Sequence, residues 1–465
     1  MKITIDSIIK LPVDQLPAGL LRKIKNQLTI LNPAFETALR LGKWTGNIPE
    51  TFKLFQVENG QLQLPRGYGQ HLVKLLQQHG IKYELQDQRL VLPAVEFTSR
   101  IRLRGYQQPA ADALIKYRQG GLSAPCGSGK TEVMLHVMAE IQQPSLWITH
   151  TKELLNQTRH RAAAAFNMDP EEVGTIAGGQ VEPGERLTIA LIQTLHKAAD
   201  LEQLAGKFGA VFVDEGHRVA ARTFYETLNR LPALFRFWCS ATPERNDGLT
   251  KMVTAAGGPV LHKIGIDDLP IITPELRIIE TDFTANEDEE FEYADLIAEL
   301  IACRQRNRLI VDTITATAAG NFSLVLSDRI EHLETLEAML KDAAPRLQVA
   351  VLTGRMSKNK RAETMSRAQA GEIDILLATQ LAREGLDLPH LNQLFMATPK
   401  RAAGAVQQET GRIMRQAPGK SSAVVFDFVD MDNGMLRAQW WKRRQAYKSL
   451  GIETDGSCRP AAAGG

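Results

Sequence analysis

Two short segments hold the residue types that could do chemistry. The first is APCGSGKT, residues 124–131. Gly127 and Gly129 let a backbone bend so that amide N–H groups, with Ser128, face an anion, and a following helix N-terminus adds positive dipole. Lys130 reaches toward β and γ phosphates, and the Thr131 hydroxyl suits Mg²⁺. The usual phosphate-loop pattern starts with Gly, and here that position is Ala124. The second segment is VFVDEGH, residues 211–217. Asp214 can hold the metal through water, and Glu215 can accept a proton from an attacking water. Two adjacent carboxylates at a strand end are costly to desolvate without a cation or partner. A Gly-Ser-Gly-Lys-Thr string in a surface loop, or a solvated strand end, are the bland readings of each segment alone. An apolar strand before APCGSGKT and a helical pattern, EVMLHVMAEI, after it favour a nucleotide site with Mg²⁺.

The elements that must position these residues follow from periodicity. From about residue 98, apolar strand candidates alternate with amphipathic segments: GLSAP, SLWITH, RLTIAL, AVFVDE and FRFWCSA. A second series is FSLVLS, LQVAVLT, IDILLAT, NQLFMAT and AVVFDFV. Apolar strands alternating with helices predict parallel sheets covered on both faces, so the fold class is α/β with two tandem lobes. Residues 1–97 read as a small α+β module. In it FKLFQVE, Asn59-Gly60 and QLQLP spell a hairpin, because Asn-Gly supplies the positive φ angles of a tight turn. HLVKLLQQHG predicts a short helix. The expected division is 1–97, 98–268, an acidic linker or insertion at 269–299, 300–450, and a flexible tail at 451–465.

The chain has 465 residues, 44% hydrophobic and 23% charged, which excludes wholesale disorder. No apolar run approaches the ~18 residues of a membrane helix. The start, MKITIDSIIKLPVD, lacks an apolar signal core, and the four Cys form no CxxC pair. The expectation is a reducing, cytoplasmic setting without a zinc ribbon. Net charge is +2, but residues 1–98 carry 12 Lys/Arg against 8 Asp/Glu, and residues 400–465 carry 11 against 6. Basic ends are compatible with a polyanionic partner, while on charge alone ordinary surface scatter is the favoured reading.

Read together, the motifs resemble a superfamily two helicase of the DExH type, in the group of XPB-like and phage branch-migration DNA helicases. They run in the family's order from residue 103 to residue 420. LRGYQ (103–107) resembles the adenine-reading motif, with Arg104 and Gln107, though Gly105 replaces the usual Pro. APCGSGKT is motif I, and DEGH is motif II with Gly216 for the usual Ala. THTKELLNQ and IALIQTLHK resemble strand-contacting motifs carrying Thr151 and Thr194. SAT (240–242) is motif III. LTGRMSKNKR supplies Thr353, and LLATQLAREGLDLP supplies Thr379, Gly385 and Asp387. QETGRIMRQAPGK (408–420) supplies Gln408, Arg412 and Arg415, with Glu409 where the family usually has Arg.

The resemblance implies two RecA-like domains with ATP between them. Lys130, Thr131, Asp214, Glu215, Gly385 and Asp387 would serve the nucleotide, and Arg412 and Arg415 would act as arginine fingers. His217, Ser240, Thr242 and Gln408 would couple hydrolysis to the strand-gripping side. Thr151, Thr194, Thr353 and Thr379 would touch nucleic-acid backbone. The LRGYQ start and the ending of motif VI favour DNA, single-stranded, forked or branched, in repair or recombination. A duplex translocase that never separates strands, an RNA helicase and a silent scaffold remain alternatives, although the intact ATPase residues argue against a scaffold.

Two basic and aromatic runs lie outside the motifs. Lys43-Trp44-Thr45-Gly46 and Arg66-Gly67-Tyr68 could grip exposed bases, or Trp44 could be a core residue beside a surface Lys. WWKRRQAYKSL (440–450) could be a duplex-contacting patch, or a solvated helix that packs Trp440 or Trp441 on the second lobe.

Overall fold

The computed structural model describes residues 1–125, 127–198, 200–214, 221–241, 249–285, 292–379, 388–400 and 403–454. These form two compact units, Met1–Gly265 and Ile266–Gly465. Each matches an α/β lobe expected from the alternation of apolar runs.

The first unit is built on a sheet of eight described strands. Its central strands, in sheet order, are Leu187–Leu191, Ser145–Thr149, Ala210–Val213, Phe235–Ser240 and Gln119–Ser123, all parallel. They are nearly continuous apolar runs because both faces are covered, and Trp147, Phe212, Phe237 and Trp238 are buried along them. Three further strands lie at the edges: Gly174–Ala177, Gln180–Glu182 and Val260–Lys263.

The N-terminal module does not stand apart as the expected boundary at 97 implies. Its own sheet orders Gln56–Glu58, Gln61–Pro65, Ile8–Pro12, Lys2–Ile5 and Glu84–Asp87. The hairpin turns at Asn59 (φ 49°) and Gly60 (φ 72°), as the Asn-Gly signal requires. The helix Gly69–Gln78 buries Leu72, Leu75 and Leu76. The module's core includes Met252 and Ala255 of the α/β lobe, so the two parts share one hydrophobic cluster.

Arg66 seals this junction. It is 3% exposed and donates to Gln119 Oε1 (3.0 Å), Ala233 O (2.6 Å) and Leu234 O (2.9 Å). A Cβ at Gly67 would lie 2.0 Å from Thr254 O, so only glycine allows this approach. From the lobe side, Arg236 donates to Ser7 O (3.2 Å), Leu231 O (2.7 Å) and Ala256 O (2.9 Å). Arg66 and Gly67 are therefore structural, which corrects the reading of Arg66-Gly67-Tyr68 as a grip on bases.

The second unit is a parallel sheet of six described strands. Its order is Glu275–Glu280, Val424–Val429, Gln393–Met396, Ser323–Leu326, Ile375–Ala378 and Val349–Leu352. The first of these falls inside the stretch 269–299 expected to be a linker. Glu275–Glu280 pairs residue for residue with Val424–Val429, and Ile278 and Ile279 enter the core. The tail boundary also moves. Ile452 packs in the same core, and Thr454 Oγ1 accepts from Arg444 Nε at 3.2 Å.

The run WWKRRQAYKSL lies in the helix Gly434–Ser449 and packs as the bland reading has it. Trp440, Arg443 and Tyr447 are buried. Arg443 makes a two-pronged bond to Asp427 (2.8 Å each), and Tyr447 OH donates to the same carboxylate at 2.8 Å. Arg443 is thus committed to the core and cannot belong to a duplex-contacting patch.

Candidate functional site

The carboxyl edge of the first unit's parallel sheet gathers the nucleotide residues, as open α/β sheets do. Strand Gln119–Ser123 feeds the loop 124–129, and helix Lys130–Ile141 begins at once. Gly127 and Gly129 have φ of 83° and 77°, a left-handed conformation that glycine adopts without strain, and Ser128 N–H between them donates to Pro125 O at 3.3 Å. Ser128 Oγ is buried and has no hydrogen-bond partner among the described residues. A buried orphan hydroxyl inside a glycine loop at a helix N-terminus fits a phosphate ligand. Lys130 is buried, and its Nζ donates to Ala124 O (3.1 Å) and Pro125 O (3.4 Å). Its ammonium is therefore held over the loop, where phosphate oxygens would be stronger acceptors than carbonyls. Thr131, half-buried in the first helical turn, and Asp214 are the residues that would hold Mg²⁺.

Strand Phe235–Ser240 lies between the loop strand and strand Ala210–Val213 and ties them together. Ser240 O accepts Ala124 N–H at 3.0 Å at the root of the loop. Cys239 donates its S–H to Asp214 Oδ1 at 3.2 Å. Asp214 is buried one residue beyond its strand, and its N–H donates to Ile148 O (3.0 Å). The carboxylate is thus fixed in direction. The contact from Cys239 escapes sequence reasoning, because it joins residues on neighbouring strands whose register the sequence does not state.

Gln107 is brought to the loop itself. Its Oε1 accepts Arg104 N–H (2.8 Å), and its Nε2 donates to Ser128 O (2.8 Å). A Cβ at Gly129 would lie 2.2 Å from Gln107 Nε2, so the glycine also makes room for this amide. Tyr106 OH donates to the same Ser128 carbonyl at 3.3 Å, a link the motif comparison did not single out. Arg104 is exposed and donates to Tyr106 OH at 3.2 Å.

Three of the four expected backbone-contacting threonines fall just past strand ends, and the fourth lies in the helix that follows its strand. Thr151 follows strand Ser145–Thr149 and caps helix Lys152–Phe166, its Oγ1 accepting Leu154 N–H at 3.2 Å. Thr194 is half-buried in the short helix Ile192–His196. In the second unit Thr353 and Thr379 stand just past neighbouring strands and both are buried. Thr353 N–H is taken by Met356 Sδ (3.4 Å), and Thr379 N–H by Leu352 O (3.3 Å).

Gln408 and Arg412 sit on helix Ala403–Ile413, with Arg415 just beyond it. Arg412 and Arg415 line a small cavity with Leu324, Leu388 and Leu391. Arg415 is steadied through its backbone. Ile271 forms an antiparallel bridge with it, and Lys420 Nζ donates to Ile413 O and, at 2.9 Å, to Arg415 O. Burial, and then the Arg415 charge, push the Lys420 amine down to about 8. Lys420 thus positions the arginine segment, a role the sequence pattern did not separate from the motif. Glu215, His217, Thr242, Gly385, Asp387 and Cys126 lie outside the described residues. Among the described residues no helix is long and apolar enough to cross a membrane.

Known proteins are similar to this chain over the residues that carry these features. Residues 100–245 match the family described as type III restriction enzyme, res subunit, and residues 305–417 match the helicase conserved C-terminal domain. A relative from Acanthamoeba polyphaga mimivirus, named "Putative ATP-dependent RNA helicase L396", is 26% identical over 92% of this chain and 81% of its own length. The DNA 3'-5' translocase XPB2 of Sulfurisphaera tokodaii is 22% identical over 70% of this chain and 81% of its own. "Probable helicase D10" of Escherichia phage T5 is 25% identical over 82% of each. The solved structure of S. cerevisiae Dbp5 bound to RNA and ADP BeF3 shares the fold, with a TM-score of 0.56 at 14% identity over 76% of this chain and 88% of its own. With both family domains in order, and these relatives spanning most of the chain, the protein belongs to the superfamily two helicases of the XPB-like and phage group, and is a nucleic-acid-dependent ATPase.

Proposed function

We propose that the protein is an ATP-dependent DNA helicase that couples hydrolysis to translocation along DNA, and to unwinding or branch migration, in repair or recombination. The observation that carries the reading is the shared sheet edge where the glycine loop, Lys130, Asp214 and Ser240 converge. In this reading Lys130 and the loop amides bind the β and γ phosphates. Thr131 and Asp214 hold Mg²⁺, which screens the charge of the transferred phosphoryl group when bound. Glu215 takes a proton from the attacking water. Arg412 and Arg415 answer the negative charge that develops as the bond to the leaving phosphate breaks. Gln107, held to Ser128 O, makes the start of LRGYQ sensitive to the state of the loop. Ser240 O on Ala124 N–H gives the motif III strand the same sensitivity.

Support for DNA comes from the relatives named as DNA 3'-5' translocase and DNA 3'-5' helicase. The relative named as an RNA helicase favours RNA as a second reading. ATP hydrolysis measured with single-stranded, duplex, forked and four-way DNA, and with RNA, decides between them. The proposal expects the largest stimulation with branched or single-stranded DNA. Stimulation by RNA alone overturns it. A strand-displacement assay beside a triplex-displacement assay separates unwinding from duplex translocation.

A further inference from the structure

We propose that Trp44 is a stacking platform for an unpaired nucleic-acid base, on a second nucleic-acid contact formed by residues 18–54. The proposal rests on the helicase reading above and adds a site distinct from the strand-end threonines.

Trp44 is not a core residue: it is 75% exposed and lies outside the module's hydrophobic cluster. Its indole is nevertheless not adrift. A Cβ at Gly46 would fall 2.3 Å from Trp44 Cζ2 and 2.6 Å from Cε2, so the ring lies directly against the Gly46 backbone. One side is supported while most of the ring surface stays open. Tryptophan has only two rotatable side-chain angles, so a ring already held costs little further entropy to stack on.

The segment that carries the ring is anchored at both ends. Buried Asn32 caps helix Pro33–Arg40 through Ala34 N–H (3.1 Å). The same residue donates Nδ2–H to Pro49 O (2.7 Å) and its backbone N–H to Glu50 O (2.9 Å). Lys43 N–H donates to Ala38 O and Ile48 N–H to Thr45 O, each at 2.9 Å.

Charge identifies the occupant. Residues 18–54 hold six Lys/Arg (22, 23, 25, 40, 43 and 53) and two Glu (36 and 50), while the rest of residues 1–98 is balanced. The module's whole +4 therefore sits on the segment that bears the exposed indole. Arg40, Lys43 and Lys53 are exposed. An open ring on a basic segment suits a base and its phosphates, whereas protein interfaces are depleted in Lys. Stacking also needs no particular sequence, because every base has a π-face.

The test is anisotropy titration of a labelled single-stranded oligothymidylate with the full chain, without nucleotide, at several salt concentrations. Losing one stacked base weakens binding about tenfold, so Trp44→Ala should show that loss and Trp44→Phe should recover most of it. Gly46→Val, which displaces the ring, should weaken binding in the same direction. Trp44→Ala should leave the salt slope as it is, and Lys43→Ala should lower it by about one. Basal ATP turnover and melting temperature should be unchanged in Trp44→Ala. Wild-type affinity in Trp44→Ala overturns the platform alone. So does a change of oligomeric state in that variant without loss of affinity, which would mark the face as a protein interface. A wild-type chain that neither binds nor is stimulated by nucleic acid overturns the underlying helicase reading as well.

Discussion

Both units repeat one device, a buried parallel strand that leads through a short connection into a helix. In the first unit, strand Gln119–Ser123 reaches helix Lys130–Ile141 through six residues that include two left-handed glycines. In the second, strand Ser323–Leu326 reaches helix Ile330–Ala343 through three. There Ser327 Oγ accepts Arg329 N–H (3.2 Å) and meets His332 Nδ1 (3.0 Å), and Asp328 pairs with Lys400. The longer loop holds a buried serine hydroxyl, unpartnered among the described residues, between its two glycines, with a lysine ammonium beside it. The shorter one closes on its own side chains and presents a carboxylate, which an anion avoids. The fold is shared, and the chemistry resides in three extra residues and their φ angles.

Substitutions that erase this contrast should have the largest effects. Lys130→Ala removes the cation from the first loop and should cut nucleic-acid-stimulated ATP turnover at least ~10³-fold. Undiminished turnover in a steady-state assay refutes the site. Arg415→Ala, in the second unit, should leave ATP affinity intact while hydrolysis slows about 10³-fold, as read by nucleotide binding beside single-turnover rates. Equal loss of both would show that the variant is misfolded.

The junctions differ as well. The first unit holds buried Arg66 and Arg236 by carbonyls, whereas the second holds Arg306 and Arg443 by Asp430 and Asp427. Arg66→Ala leaves the carbonyls of Ala233 and Leu234 without this donor. It should destabilise the first unit by about 3 kcal/mol in thermal or urea unfolding, with the second unit's transition unmoved.

The smallest effect concerns His332, buried between Ser327 and Asn307. Burial, and then the Arg306 charge, push its imidazole down to about 3 from 6.5. The native ring stays neutral while the unfolded one takes up a proton. This therefore costs nothing above pH ~6.5 and destabilises the fold as pH falls toward about 3. At pH 5.5 the second unit should lose about 1.3 kcal/mol relative to pH 7 from this residue. His332→Gln should flatten that slope in pH-dependent unfolding.

The sequence disclosed the parts whose cause is local. Ten strands, nine of them buried, announced themselves as apolar runs, Asn59-Gly60 as a turn, and Lys130 and Asp214 by their settings. Gly174–Ala177, Gln180–Glu182, Val260–Lys263 and Glu275–Glu280 did not, because strands at or near a sheet edge need no continuous apolar run. Contacts across long separations were equally silent. Gln107 meets Ser128 O and Arg66 meets Ala233 O only after folding. Trp44 and Trp440 look alike beside their lysines, yet one is exposed and the other buried. The difference lies in what each helix or loop packs against, which composition does not state.

The central claim is that the first unit's loop hydrolyses ATP in response to DNA. ATP turnover titrated with single-stranded DNA, for the wild-type chain and Lys130→Ala side by side, tests it most directly. The account predicts turnover that rises to saturation in the wild type and stays at background in the variant. A wild-type rate indifferent to DNA, or a variant that responds equally, would contradict it.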